Sequence, residues 1–116
     1  MRIKSLLTAL ALVVLLSSTA LAEKTIVHFF VLPASIPSEQ LVKFDDFLVH
    51  TAGGFTATRS YGGAMTSLGK DYAPENLSYT VAAPKHLRKE IMDYLKKNCG
   101  QKEVFMLVWP ADRPGL

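Results

Sequence analysis

The sequence predicts an α+β domain in which four strands and two helices follow the order β-α-β-β-α-β. Four segments rich in β-branched and aromatic residues read as strands, two segments carry apolar residues at helical spacing, and glycines and prolines separate them. This order is the ferredoxin-like or split βαβ arrangement, a four-stranded antiparallel sheet with two helices on one face. Right-handed crossovers then place strands one and three in the middle.

The first strand is predicted at Thr25–Leu32, an almost continuous apolar run typical of a central strand that is covered on both faces. The first helix follows, with Ser35 or Ser38 as its N-cap and Gly53-Gly54 at its end. Its apolar stripe consists of Leu41, Phe44, Phe47 and Leu48.

The second strand is predicted at Phe55–Tyr61, where larger side chains alternate with hydroxyl residues. Alternation of the same kind predicts the third strand at Leu77–Ala82. Between them, Gly62–Asn76 contains many glycines and a proline, which predicts a long loop or irregular hairpin connection.

The second helix is predicted to begin near Pro84, which suits a first helical turn. Its apolar stripe consists of Leu87, Ile91, Tyr94 and Leu95. The fourth strand is predicted at Glu103–Trp109 and is expected to stop at Pro110, and the Pro114-Gly115 tail is expected to be mobile.

Residues 1–22 have the three parts of a secretory signal peptide: a basic start, an apolar run at Leu6–Leu16, and Ala20 and Ala22 before a cleavage site. The apolar run has about eleven residues, whereas a spanning helix needs about twenty, so cleavage is favoured over an uncleaved anchor. We therefore expect an exported protein, periplasmic or secreted, with one domain at residues 23–116 and no stable membrane span after processing.

Cleavage would also change the charge of the protein. The leader contains Arg2 and Lys4 of the 13 basic residues, and all 10 acidic residues follow it, so the net charge falls from +3 to about +1. Basic residues of the second helix are interspersed with acidic ones. This pattern favours a solvated helical face over a nucleic-acid surface, and no nucleic-acid partner is predicted.

Cys99 is the only cysteine, so no internal disulfide can form. It lies where the second helix is expected to end, with Gly100 after it as a left-handed stop. We predict a small buried residue there, with an intermolecular disulfide or a reactive thiol as the alternative.

Recognised catalytic and cofactor-binding motifs are missing from the sequence. The three histidines, His28, His50 and His86, fall on different predicted elements, so neither a metal site nor a cofactor is predicted. Of these, only His28 is predicted in the middle of a central strand, where a polar ring needs a partner. A structural role is favoured for it over ligand contact or acid–base chemistry.

A ligand site around His28 is nevertheless a hypothesis that the sequence allows. Its candidate companions are Arg59 and Tyr61 on the second strand and Tyr79 on the third. The predicted loop adds three polar or charged residues, Asp71, Tyr72 and Glu75. A cleft between sheet and loop would gather these groups around a small polar ligand.

Several short segments resemble a family of small exported bacterial proteins that is classified only as a domain of unknown function. They are Ser38-Glu39 with Phe44 further along the first helix, Gly54-Phe55-Thr56, Gly62, and Glu75 before the third strand. The resemblance covers most of the chain after the leader. It implies a ferredoxin-like fold and export, and it implies no reaction.

Three classes of function follow. The first is an exported interaction protein of the cell envelope that associates with itself, most simply as a homodimer through the sheet face that the helices leave open. The alternatives are a small-ligand binder that uses the 62–76 loop, and a cofactor-free enzyme with His28 as base and Arg59 as anion partner. Whether the protein is an enzyme stays open at this point.

Overall fold

The computed structural model describes residues 23–114, which form one antiparallel sheet of four strands and two helices. In chain order the elements are β1 (Glu23–Pro33), α1 (Ser38–Ala52), β2 (Thr56–Thr66), β3 (Gly69–Ala83), α2 (Arg88–Asn98) and β4 (Met106–Arg113). The predicted leader and the end of the predicted mobile tail lie outside the described residues.

The strand order in the sheet is β2-β3-β1-β4. β1 pairs with β3 on one side, where Phe30 lies opposite Tyr79, and with β4 on the other, where Phe30 lies opposite Met106. The predicted ferredoxin-like order, with strands one and three in the middle, is therefore confirmed.

One face of the sheet, here called the covered face, packs against both helices. On β1 it presents His28, Phe30 and Leu32, each completely buried, and its β3 partners include Tyr79 and Val81. From the helices, Phe44, Leu48, Ile91 and Leu95 complete the core. The aromatic rings interlock: Phe30 stacks on Tyr79 with centroids 5.2 Å apart, and Phe44 meets both rings edge-on.

The other face, here called the open face, consists of the residues that alternate with these. Along β1 they are Val27, Phe29 and Val31, which are only partly buried. Leu107 of β4 lies beside Phe29, and Trp109 lies beside Val27. Neither helix lies on this side, because both contribute their apolar stripes to the covered face.

Of the two options predicted for residues 62–76, the long loop is wrong and the irregular hairpin is closer, because β2 and β3 form one long hairpin, interrupted by a bulge, that turns at Ser67 and Leu68. Glycine content misled the prediction. Gly63 lies opposite Tyr72, and a Cβ at Gly63 would come 3.0 Å from the Tyr72 ring, so the ring occupies the space that a side chain would need. At the turn, Gly69 adopts the positive φ of 113° that other residues avoid.

A β-bulge interrupts the hairpin next to Tyr61. Ser60 pairs with Asn76 and Gly62 pairs with Ala73, so two residues of β3, Pro74 and Glu75, stand against Tyr61 alone. The bulge accommodates Pro74, which has no N–H to donate to a regular ladder.

Three smaller expectations about helix and strand ends also need correction. No side chain caps α1, whose N-cap position is Pro37 rather than Ser35 or Ser38. Pro84 lies before α2 rather than in its first turn, since α2 begins at Arg88.

Strand β4 does not stop at Pro110 but continues to Arg113, which is compatible with a proline because β4 is an edge strand. The predicted glycine stops are confirmed: Gly53 ends α1 with a φ of 94°, and Gly100 follows α2 with a φ of 64°.

Candidate functional site

The four sequence-predicted site residues occupy three separate places. His28 lies beneath the start of α2, Tyr79 lies against α1, and Arg59 and Tyr61 lie on the edge strand β2. The structure brings only Arg59 and Tyr61 together in one pocket. The two central-strand residues, His28 and Tyr79, belong to the core.

The ring of His28 is completely buried, and both of its nitrogens are hydrogen-bonded to backbone groups. The Leu87 N–H donates to Nε2 over 2.8 Å, so the proton of the neutral ring must be on Nδ1, which donates to the Val81 carbonyl over 3.1 Å. Burial lowers the pKa of His28. The neutral ring thus joins β1 to β3 and to the start of α2, and backbone groups occupy both of its nitrogens.

Tyr79 is also a core residue, with a polar end that reaches α1. Its hydroxyl donates to the Asp45 carboxylate over 2.8 Å, while its ring is 1% exposed among aromatic neighbours. Burial and the nearby Asp45 carboxylate raise the pKa of Tyr79 well above its ordinary value. This hydroxyl therefore stays protonated and ties the sheet to the helix.

Arg59 and Tyr61 line a pocket of about 570 Å³ at the edge of the sheet. The pocket lies between β2, the bulge in β3 and the segment that leads from β1 into α1. That segment is held to the bulge by a hydrogen bond from the Ala34 N–H to the Glu75 carbonyl, 3.3 Å long. The volume falls in the range of about 300–1,000 Å³ that small-ligand sites occupy.

The lining of this pocket combines an apolar floor with polar groups. Ile36, Leu41 and Leu77 supply apolar surface, and Arg59, Tyr61 and Glu75 supply the polar and charged groups. Of the three residues that the sequence placed in a loop beside the site, Glu75 lines this pocket, whereas Asp71 and Tyr72 lie further out along the hairpin beside a shallower depression. Sequence reasoning did not find the contribution of Ile36 and Leu41, since no local pattern shows which loop reaches the bulge.

The open face carries a second candidate surface. Phe105, Leu107 and Trp109 remain 62%, 49% and 43% exposed beside Val27, Phe29 and Val31 of β1. Towards β2 the same face continues with hydroxyl residues, among them Ser60 and Ser78, whose side chains are hydrogen-bonded at 2.7 Å. The face therefore has an apolar half and a hydroxyl half.

Cys99 is buried, as the sequence predicts, and is 6% exposed. Burial raises the pKa of its thiol, which disfavours the nucleophilic thiolate. Among residues 23–114, no group of three His, Cys, Asp or Glu side chains is placed to hold a metal ion. Neither described helix is long and apolar enough to cross a membrane.

Comparison with known proteins identifies the fold. No family model matches the chain, and no curated protein does. Solved structures do match: CutA1 from Oryza sativa has a TM-score of 0.60 at 12% identity, covering 78% of this chain and 82% of that one. GlnK from B. subtilis, solved as its ATP complex, has a TM-score of 0.58 at 11% identity, covering 79% and 85%.

A DUF3240 family protein from Shewanella baltica is also similar, with a TM-score of 0.55 at 12% identity, covering 82% of this chain and 97% of that one. A protein from a family of unknown function is thus among the structural relatives, and the ferredoxin-like fold that the resemblance implied is confirmed. At these identities the similarity concerns the fold alone.

Proposed function

We propose that this chain is a small exported binding domain of the cell envelope that self-associates through its open face. The observation that carries the proposal is the exposed apolar half of that face, centred on Phe29, Leu107 and Trp109. Large contiguous apolar patches on soluble proteins mark interaction sites, because leaving them in water is costly.

The partner that this surface fits best is a second copy of the chain. Across its paired positions, from Thr25 to Val31 on β1 and on the neighbouring strands, the open face carries no charged residue. Within this range no like charges would meet across two identical surfaces, and two-fold pairing of one patch with itself is the commonest form of soluble oligomer. A stable pair would bury about 800 Å² on each copy.

The geometry of His28 argues against the alternative in which this residue serves as a catalytic base. A general base needs a nitrogen within reach of a substrate proton, and both nitrogens of His28 are occupied by the Leu87 and Val81 backbone. The enzyme alternative of the sequence analysis would require these hydrogen bonds to break.

The test of self-association uses light scattering at micromolar concentration together with the fluorescence of Trp109, the only tryptophan of the chain. We expect the mass of two chains, and a blue shift of the emission as the protein is concentrated, because pairing removes water from the indole.

Substitution Leu107→Lys should yield the mass of one chain and abolish the fluorescence shift. The matched control is Val49→Lys on α1, since Val49 is 47% exposed and Leu107 is 49% exposed. A wild-type mass of one chain that does not change on concentration would refute the proposal.

Export has its own test. N-terminal sequencing of the protein recovered outside the cytoplasm should begin at Glu23, within about one or two residues. Substitution Ala22→Phe should block cleavage, because the peptidase requires a small residue there. Recovery of the full-length wild-type chain in the membrane fraction would contradict cleavage.

A further inference from the structure

The pocket beside the β-bulge, described above, lies on the helix side of edge strand β2, away from the open face. Two residues of opposite charge line it without forming an ion pair with each other. Arg59 and Glu75 both line it, yet within residues 23–114 neither takes part in an ion pair. The described ion pairs all lie elsewhere, within the helices or between Lys24 and Asp112.

The bulge explains why two charges converge on one pocket. Arg59 lies opposite Leu77 in the ladder, and the bulge sets Glu75 against Tyr61, two residues further along β2 from Arg59. Both charged residues thus line the pocket together with the apolar residues Ile36, Leu41 and Leu77. A basic and an acidic residue border one partly apolar cavity.

We infer that this pocket binds a small zwitterionic ligand with an apolar body, of the class of a free α-amino acid with an aliphatic side chain. The planar guanidinium of Arg59 can donate two parallel N–H bonds to the carboxylate of such a ligand. Glu75 can accept hydrogen bonds from its ammonium group, and the side chain would rest on the apolar floor. A simple anion would be repelled by the negative charge of Glu75. A simple cation would be repelled by the positive charge of Arg59.

This inference is independent of the proposed self-association, since the two surfaces lie on opposite sides of the sheet. A failure of either test leaves the other unaffected. We therefore expect the same ligand affinities whether the protein is a single chain or a pair.

The experiment measures binding to the purified protein by amide chemical shifts in NMR, with three related compounds. They are L-leucine, N-acetyl-L-leucine, which lacks the positive charge, and L-leucinamide, which lacks the carboxylate. We expect leucine to shift the amides around the pocket, and each of the other two to bind about ten-fold more weakly, because each loses one charge-assisted contact.

Two exposed positions and one control complete the design. Arg59→Gln should weaken leucine binding about ten-fold and leave the affinity for leucinamide unchanged. Glu75→Gln should weaken leucine binding to a similar degree and leave the affinity for N-acetyl-leucine unchanged. Arg113→Gln, at the other edge of the sheet, should leave all three affinities unchanged.

Three outcomes would overturn the inference. Absence of shifts at millimolar leucine would exclude the ligand class. Equal affinities for all three compounds would show an apolar cavity only, and N-acetyl-leucine binding as tightly as leucine would show a site for anions alone. Circular dichroism spectra identical to wild type are required of each variant, and both substituted side chains are exposed, so the fold does not depend on their burial.

Discussion

The covered face and the open face of the sheet are built from alternate residues of the same strands, yet they differ in what lies on them. Phe30 on the covered face is completely buried, whereas its neighbour Phe29 on the open face is only partly buried. Along the middle of β1, both faces are apolar in sequence apart from His28. The comparison teaches that the apolar content of a strand does not determine which face is covered; the stripes of the two helices do, and they serve one face only.

The largest expected effect comes from removing a phenyl ring on each face in turn. Phe30→Ala should lower the free energy of unfolding by about 4 kcal/mol, because the ring is enclosed by aromatic neighbours and leaves a cavity. Phe29→Ala is the matched control and should cost about 1–2 kcal/mol in dilute solution, since that ring retains contact with water. Urea denaturation followed by circular dichroism measures both.

If self-association occurs through the open face, the loss of unfolding free energy caused by Phe29→Ala should grow as the protein concentration rises. The loss caused by Phe30→Ala should change less. Equal losses of unfolding free energy for the two variants in dilute solution would contradict the difference in burial between the two faces.

The second prediction concerns His28 on the covered face and the pH dependence of stability. His28 has a pKa below that of the unfolded chain, so the unfolded state binds the proton more readily, and stability is lost as pH falls below about 6.5. His28→Gln should cost about 2 kcal/mol at pH 7, because the amide of glutamine reaches the position of Nε2 but not that of Nδ1, so one of the two backbone hydrogen bonds is lost.

The same variant should also lose less stability than the wild type between pH 7 and pH 5. His50→Gln is the control, since the His50 side chain is 75% exposed, and it should retain the wild-type pH dependence. Parallel pH profiles for the wild type and His28→Gln would contradict the role given to the buried ring.

The smallest effect concerns the hydroxyl that joins the covered face to α1. Tyr79→Phe keeps the ring in the core and removes only the hydrogen bond to Asp45, so we expect a loss of about 1.5 kcal/mol. A double-mutant cycle with Asp45→Ala measures the coupling directly. Additive losses would show that the contact contributes nothing to stability.

The order of the elements could be predicted from the sequence because it depends on local periodicity. Thr25–Leu32 and the stripe containing Phe44 each show their secondary structure within a few residues. The choice between a loop and a hairpin at 62–76 could not be made in the same way, because Gly63 is covered by Tyr72 from the partner strand, a contact that exists only once the strands pair. The continuation of β4 through Pro110 likewise depends on its position at the sheet edge.

The candidate site was less accessible to sequence reasoning. The placement of His28 on the central strand was correct, but its partners, the Leu87 N–H and the Val81 carbonyl, lie 59 and 53 residues away in sequence. Arg59 and Tyr61 share a pocket only because a bulge and the segment after β1 meet beside them. Contacts of this kind join residues that are distant in sequence, so no local sequence pattern predicts them.

The proline in β4 has a consequence for how copies of this chain can add to one another. A sheet with two free edges can in principle grow without limit, as one molecule's β4 pairs with the next molecule's β2 to build a fibre. Pro110 lies within β4 and offers an incoming strand no N–H, and prolines in sheets are found where that nitrogen faces solvent. The β4 edge is thereby a poor template for end-to-end polymerisation.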